Sequence, residues 1–236
     1  MQRYFSNLSL NNEYLLSKDD SYHILKVMRM KMHDKVEIVD NKRIYLCEII
    51  SLNPVKAKVI CKIDENHENE KQIILVQSLV NENKIDYILQ KGCELGINAF
   101  YPYKAKNSVV KENDKSAKKI IRWQKIVKEA SEQSKRNIIP LVHEIIDIKE
   151  LCNLEADLKI LLSVKEKEKN IKKVLKDNLK CDKLIIVVGP EGGFTKDEED
   201  ALINNGYIST SLGHRVLRTE TAGMVAISMI NYEWMV

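Results

Sequence analysis

The rhythm of apolar and polar positions changes near residue 70. Before that point, Lys35-Val36-Glu37-Ile38-Val39-Asp40 and Tyr45-Leu46-Cys47-Glu48-Ile49-Ile50 alternate or cluster as strands do, with Asp40-Asn41-Lys42 as the turn between them, and Val55 to Ile63 alternates again. Asp19 to Met30 instead has helical spacing, which predicts Ile24, Val27 and Met28 on one side of a helix. Short strands with short connections suit a small β-barrel. Asp64 to Lys71 is polar throughout and reads as a linker. Beyond it come a continuous apolar run, Ile73 to Val76, a helical pattern from Lys84 to Leu95 and a strand-like stretch from Ala99 to Tyr103. A long helix is predicted from Lys115 to Lys135, with Ile120, Trp123, Val127, Ala130 and Ser134 on one face and Lys118, Arg122 and Lys125 on another. Leu158 to Leu162 and Leu184 to Val188 read as buried strands, and Lys165 to Lys173 as a solvated loop or helix start. This alternation predicts an α/β layer around a mostly parallel sheet. Ala222 to Trp234 is apolar on nearly all sides, so that helix must be buried against the sheet or a second subunit. The expected division is a small β domain, 1–70, and an α/β domain, 71–236.

Composition sharpens this picture only locally. The formal net charge of +4 says little, but between Lys104 and Arg136 eleven Lys/Arg face four Asp/Glu. A field so concentrated can steer a polyanion to one face. The five cysteines and five histidines are dispersed, with no zinc spacing, so reduced thiols in or near the core and no metal are expected. The first residues lack the apolar run of a secretory signal, and the densest apolar runs are too short to cross a bilayer, so a cytoplasmic protein with no membrane span is expected.

The chemistry concentrates late. Six of the eight glycines lie between Gly189 and Gly223. Gly189-Pro190-Glu191-Gly192-Gly193-Phe194 directly follows a strand, the place where open α/β folds bind ligands. The next helix has its start written out: Thr195 as cap, Glu198 as the reciprocal capping-box carboxylate and Asp197 in the first turn. Acidic residues there argue against a phosphate ligand, and a glycine-rich turn with no ligand stays open. The second cluster runs from Ser211 to Gly223, at the mouth of the apolar helix. Thr219 or Thr221 can serve as its cap, and Glu220 can simply favour the helix dipole. Neither idea accounts for Arg218, because a cation at a helix start is unfavourable.

Gly-Pro-Glu-Gly-Gly-Phe, followed about twenty residues later by Leu212-Gly213-His214-Arg215-Val216-Leu217-Arg218-Thr219-Glu220-Thr221-Ala222, resembles the SPOUT-class methyltransferases that modify N3 of a uridine in 16S ribosomal RNA. Gln90-Lys91 with Glu94-Leu95-Gly96, Arg122 to Ile126, Glu129 to Ser134 with Arg136 and Pro140, Arg3-Tyr4-Phe5 and His23 to Arg29 extend the resemblance over nearly the whole chain. The resemblance implies an N-terminal PUA-like β-barrel for RNA, a C-terminal α/β domain with a deep trefoil knot, S-adenosylmethionine as cofactor, and a homodimer acting on 16S rRNA or the small ribosomal subunit.

On that reading Arg218 stabilises charge on a uracil oxygen and Glu220 is a weaker candidate base. Gly189, Glu191, Gly192, Leu212, Gly213, Val216, Leu217 and Thr221 form the cofactor cradle, with Leu162 and Ser163 closing a third side. Arg3, Arg29, Lys118, Arg122, Lys125 and Arg136 meet phosphates. Two departures stand out: Lys106-Asn107-Ser108 where the family usually has an arginine, and His33 before Asp34 where it usually has glycine. Lys104 or Lys106 can replace that arginine as a point charge but not as a bidentate fork. An enzyme of the same class acting on another RNA, or a non-catalytic RNA-binding assembly protein, remains open.

Overall fold

The computed structural model describes residues 1–7, 9–108 and 116–234. Lys111 and Lys115, counted in the basic run above, lie outside the described residues. The chain forms two compact units, Met1–Glu68 with Ser131–Ile139 and Asn69–Ala130 with Pro140–Val236.

The first unit is built on β1 (Arg3–Phe5), β2 (Ser9–Leu10), β3 (Glu13–Leu15), α1 (Lys18–Tyr22), β4 (Lys35–Asp40), β5 (Arg43–Leu52) and β6 (Val55–Ile63). Its sheet has the order β1-β4-β5-β6-β3-β2, parallel only at β1/β4. Asn41 and Lys42 both take positive φ (46° and 66°), which makes the two-residue hairpin turn match the twist of β4 and β5. The alternation in β5 is interrupted by a register shift between Leu46 and Cys47, so Ile44 faces the core before it and Cys47 and Ile49 after it. Ile24, Val36, Ile38, Cys47, Ile49 and Ala57 form the core with Tyr4 and Tyr14. Burial pushes the Cys47 thiol up to about 12.

One expectation fails here. The helix predicted over Asp19 to Met30 is α1 followed by a π-helical turn, His23–Val27, in which the Met28 N–H donates to the His23 carbonyl at 2.9 Å. The wider turn rotates Val27 and Met28 away from Ile24, which is fully buried, and leaves them 57% and 45% exposed.

The second unit comprises β7 (Gln72–Ser78), α2 (Glu82–Glu94), β8 (Ala99–Tyr103), α3 (Ser116–Gln133), β9 (Leu141–Val142), α4 (Ile148–Cys152), β10 (Leu158–Leu162), α5 (Ile171–Asp177), β11 (Lys183–Val188), α6 (Lys196–Asn204), β12 (Ile208–Thr210) and α7 (Thr219–Trp234), the end of α3 falling in the first unit. All pairings in its six-stranded sheet, β12-β10-β11-β7-β8-β9, are parallel. The central strands β7 and β11 are covered on both faces, which is why they read as unbroken apolar runs. Trp123, Val127 and Ala130 of α3 are buried, as their spacing predicted. In α7 only one face is covered: Gly223, Ala226, Ile227 and Ile230 are buried and the helix packs on α2, α5, β7 and β11, while Tyr232 is 87% exposed. No described helix is long and apolar enough to cross a membrane.

Candidate functional site

Strands β10, β11 and β12 are neighbours and run the same way, so the loops after them converge at one edge of the sheet. There they enclose a cavity of about 610 Å³, a size that accommodates a cofactor. Leu162 and Ser163 enter from β10, the Gly189–Phe194 loop from β11, and Ser211 to Arg218 from the segment after β12.

Local chemistry shapes each wall. At Gly189 a β-carbon would meet the Phe194 ring at 2.8 Å, so only glycine lets the loop fold over that ring. Gly213 lines the cavity at φ +122°, a conformation other residues avoid. The capping box predicted at Thr195 and Glu198 is formed: the Glu198 N–H donates to Thr195 Oγ1 at 3.3 Å and the Thr195 N–H to Glu198 Oε2 at 2.9 Å. Glu198 also accepts from the Tyr103 hydroxyl at 2.7 Å and the Lys106 N–H at 2.9 Å. Burial alone would raise its pKa, but these hydrogen bonds outweigh it and hold the carboxyl below its ordinary value. Asn107, at the position where the resemblance leads one to expect arginine, donates from Nδ2 to the Gly193 carbonyl at 3.0 Å and so buttresses the loop. Lys106 pairs with Asp197 at 3.2 Å, at the start of α6.

Most of the predicted cradle meets here: Leu162, Ser163, Gly189, Glu191, Gly192, Leu212, Gly213, Val216 and Leu217 all line the cavity, as does Arg218, the residue expected to act on the base. Arg218 occupies the cap position of α7, its carbonyl accepting the Ala222 N–H at 2.8 Å, which replaces the expected threonine cap. Its guanidinium is exposed and makes no hydrogen bond or ion pair with any described residue, as is also true of Arg215 beside it.

Two assignments need correction. Thr221 is exposed one turn into α7 and does not line the cavity; Thr219 does, because it lies on the face turned toward β11. Glu220 does not line the cavity either. Its side chain is 16% exposed and its Oε2 lies 3.3 Å from Lys84 Nζ, an ammonium that also binds Glu191. The hydrogen bond to Glu191, with the Glu220 carboxylate close behind it, raises the Lys84 pKa above its ordinary value. Lys84 was missed in the sequence because it sits at the start of α2, far from either motif. Glu199 was missed too; it accepts from Ser163 Oγ at 3.1 Å and pairs with Lys165 at 2.7 Å on the cavity wall.

The predicted RNA contacts divide. Arg3 and Arg136 are 1% and 3% exposed. Arg3 Nε donates to Glu37 at 2.8 Å and Arg136 pairs with Glu68 at 2.5 Å, so both guanidinia are consumed inside the first unit and the phosphate role expected of them is corrected to a structural one. Arg122 binds Asp86 at 2.7 Å, which ties α3 to α2 and draws it off the expected basic stripe. Arg29, at φ 54°, and Lys118 are exposed, and Lys125 is exposed but holds a contact of its own.

A parallel sheet whose strand-end loops hold such a cavity is the arrangement of an α/β ligand-binding domain, here in a chain that also carries a mixed β unit. The family model for the RNA methyltransferase domain matches residues 67–231 and that for the RNA methyltransferase PUA domain matches 16–60. The chain belongs to this RNA methyltransferase family, as the motif resemblance implied. Within it, the chain is 36% identical to ribosomal RNA small subunit methyltransferase E of Bacillus subtilis (strain 168), over 99% of this chain and 97% of that protein. It also superimposes with a TM-score of 0.89 on the crystal structure of ribosomal RNA small subunit methyltransferase E from Neisseria gonorrhoeae bound to S-adenosyl methionine, at 29% identity and 99% and 98% coverage. A methyltransferase from Legionella pneumophila solved with the same cofactor gives a TM-score of 0.88 at 25% identity, with 98% and 96% of the chains covered.

Proposed function

We propose that the protein is a 16S ribosomal RNA (uracil-N3)-methyltransferase that uses S-adenosylmethionine and works in the cytoplasm as a homodimer on the small ribosomal subunit. The observation that carries this reading is the cavity of about 610 Å³ at the ends of β10, β11 and β12, with the Arg218 guanidinium, unpaired among the described residues, on its wall. The donor set fits the cofactor. Close-approaching glycine backbone suits an adenosine moiety, and the carboxylates Glu191 and Glu199 suit a ligand that carries positive charge. Bound there, S-adenosylmethionine supplies an electrophilic methyl group on a positively charged sulfur.

The chain's own residues do the rest. Gly189, Glu191, Gly192, Leu212, Gly213 and Leu217 hold the cofactor with Leu162 and Ser163, and Val216, 80% exposed at the rim, faces the incoming base. Arg218 stabilises the charge that develops on a uracil oxygen as N3 loses its proton to solvent water. Glu220, engaged with Lys84, keeps that ammonium and Glu191 in place rather than acting as the base. Arg29, Lys118 and Lys125 carry the phosphate contacts. The exposed Met229 and Tyr232 on α7 are the natural contact for a second copy.

The test incubates the protein with labelled S-adenosylmethionine and purified small subunits, then digests the RNA and maps the label. One N3-methylated uridine is expected. Absence of any methylated uridine would sink the substrate claim, and absence of calorimetric binding to S-adenosylmethionine would leave a non-catalytic RNA-binding protein. Light scattering on the purified protein is expected to give twice the chain mass.

A further inference from the structure

Three elements end at one buried point of the second unit. Gln77 is the penultimate residue of β7 and is 2% exposed, Thr219 opens α7 at 6%, and Gly189 leads out of β11. Gln77 Nε2 lies 2.9 Å from Thr219 Oγ1 and 3.2 Å from the Ser78 carbonyl. Thr219 Oγ1 lies 2.7 Å from the Gly189 carbonyl.

The direction of this chain follows from the groups that can only accept. The Ser78 carbonyl has no hydrogen to give, so the amide nitrogen of Gln77, not its oxygen, must be on that side. The same nitrogen then donates to Thr219 Oγ1, and the hydroxyl's one hydrogen is committed to the Gly189 carbonyl. The cost is visible: Gln77 Oε1 is buried without a hydrogen-bond partner among the described residues. An orphaned buried acceptor is unfavourable, so the amide is held in this orientation by its two donated bonds.

We infer that Thr219 is a positioning residue for the ligand loop, and that Gln77 makes it one by directing its hydroxyl onto Gly189. The carbonyl so held belongs to the first residue of Gly189–Phe194, whose backbone forms one wall of the cavity. Beside it Ser78 Oγ donates to the Val188 carbonyl at 2.8 Å, so the last two carbonyls before the loop turns are both clamped from below. The loop thereby reaches its ligand already shaped. This inference takes the cavity as the S-adenosylmethionine site proposed above, but its first readout needs no ligand.

Amide hydrogen exchange in the ligand-free protein is compared for wild type, Thr219→Val, Thr219→Ser and Gln77→Met. Thr219→Val keeps the shape and removes the donor; it is expected to speed exchange about tenfold at Gly193, whose N–H is held by the Pro190 carbonyl at 2.9 Å, while β8 (Ala99–Tyr103) stays as slow as in wild type. Thr219→Ser keeps the hydroxyl and is expected to match wild type. Gln77→Met, which keeps Thr219 but leaves its hydroxyl undirected, is expected to give a change of about threefold. Calorimetric Kd values for S-adenosylmethionine are expected to weaken in the same order. Unchanged loop exchange in both Thr219→Val and Gln77→Met, or equal acceleration in β8, overturns the inference. Should Thr219→Val not fold, Gln77→Met decides alone. If wild type binds no S-adenosylmethionine, the cofactor reading falls while the exchange result still judges the clamp.

Discussion

Two pairs of arginines, one pair in each unit, are used in opposite ways. In the first, Arg3 and Arg136 are buried against Glu37 and Glu68, and Glu68 also takes the N–H groups of Asn137 and Ile138 at 2.7 and 3.2 Å. Those charges are fully spent on holding backbone. In the second, Arg215 and Arg218 stand at a cavity with no protein partner among the described residues. All four belong to motifs of the same resemblance, so motif membership does not separate architecture from chemistry. Whether the guanidinium already has a carboxylate does.

The contrast breaks or sharpens under four measurements. The largest effect is expected from Arg136→Ala. Taking the cation from Glu68, whose side chain is only 12% exposed, should destabilise the protein by about 3–5 kcal/mol in urea unfolding, because the carboxylate is left with the N–H groups of Asn137 and Ile138 alone. A stable variant that simply binds RNA less well would reverse the assignment. Next comes Arg218→Ala: methyl transfer should fall about 10²–10³-fold while the unfolding midpoint stays at the wild-type value. Full activity would remove Arg218 from the chemistry.

A smaller effect is expected where α6 begins. Thr195→Ala breaks the capping box and should cost about 1 kcal/mol of stability in thermal unfolding. The smallest is the acid response. Burial opposes ionisation of both Glu37 and Glu198, but Lys135 and Arg3 at the first, and Tyr103, Lys106 and Thr195 at the second, bring each folded pKa below the ordinary 4.5. A lowered carboxyl pKa contributes stability that is complete above 4.5 and is lost as pH falls through the folded value. Melting temperature should therefore drop below about pH 4.5. Glu198→Gln should flatten that slope, and an unchanged slope would show that Glu198 carries none of it.

Much of the second unit was legible in advance. The strands from Ala99 to Tyr103 and Leu158 to Leu162 have the predicted bounds, and the capping box at Thr195 is formed as read, because runs and caps are local properties of a few consecutive residues. Short elements were not: β9, with two residues, and α4, with five, hold too few positions to show a period. The π-helical turn at His23–Val27 was invisible for a related reason. Helical spacing at Ile24, Val27 and Met28 cannot reveal a change of winding, which is set by what the turn packs against.

For the site, the sequence by itself determined which backbone can bend and which residue types gather near it: the glycines from Gly189 to Gly213 and the polar run from Arg215 to Glu220. Those motifs also determined the family. Only the tertiary structure decided which charges are free. Arg136 became a strut because Glu68 lies beside it, Arg218 stayed available because no carboxylate among the described residues pairs with it, and Glu220 was taken by Lys84 from a helix more than a hundred residues earlier. The reason is that an ion pair depends on distance in space. A one-dimensional motif records which charges are present but not which of them have met.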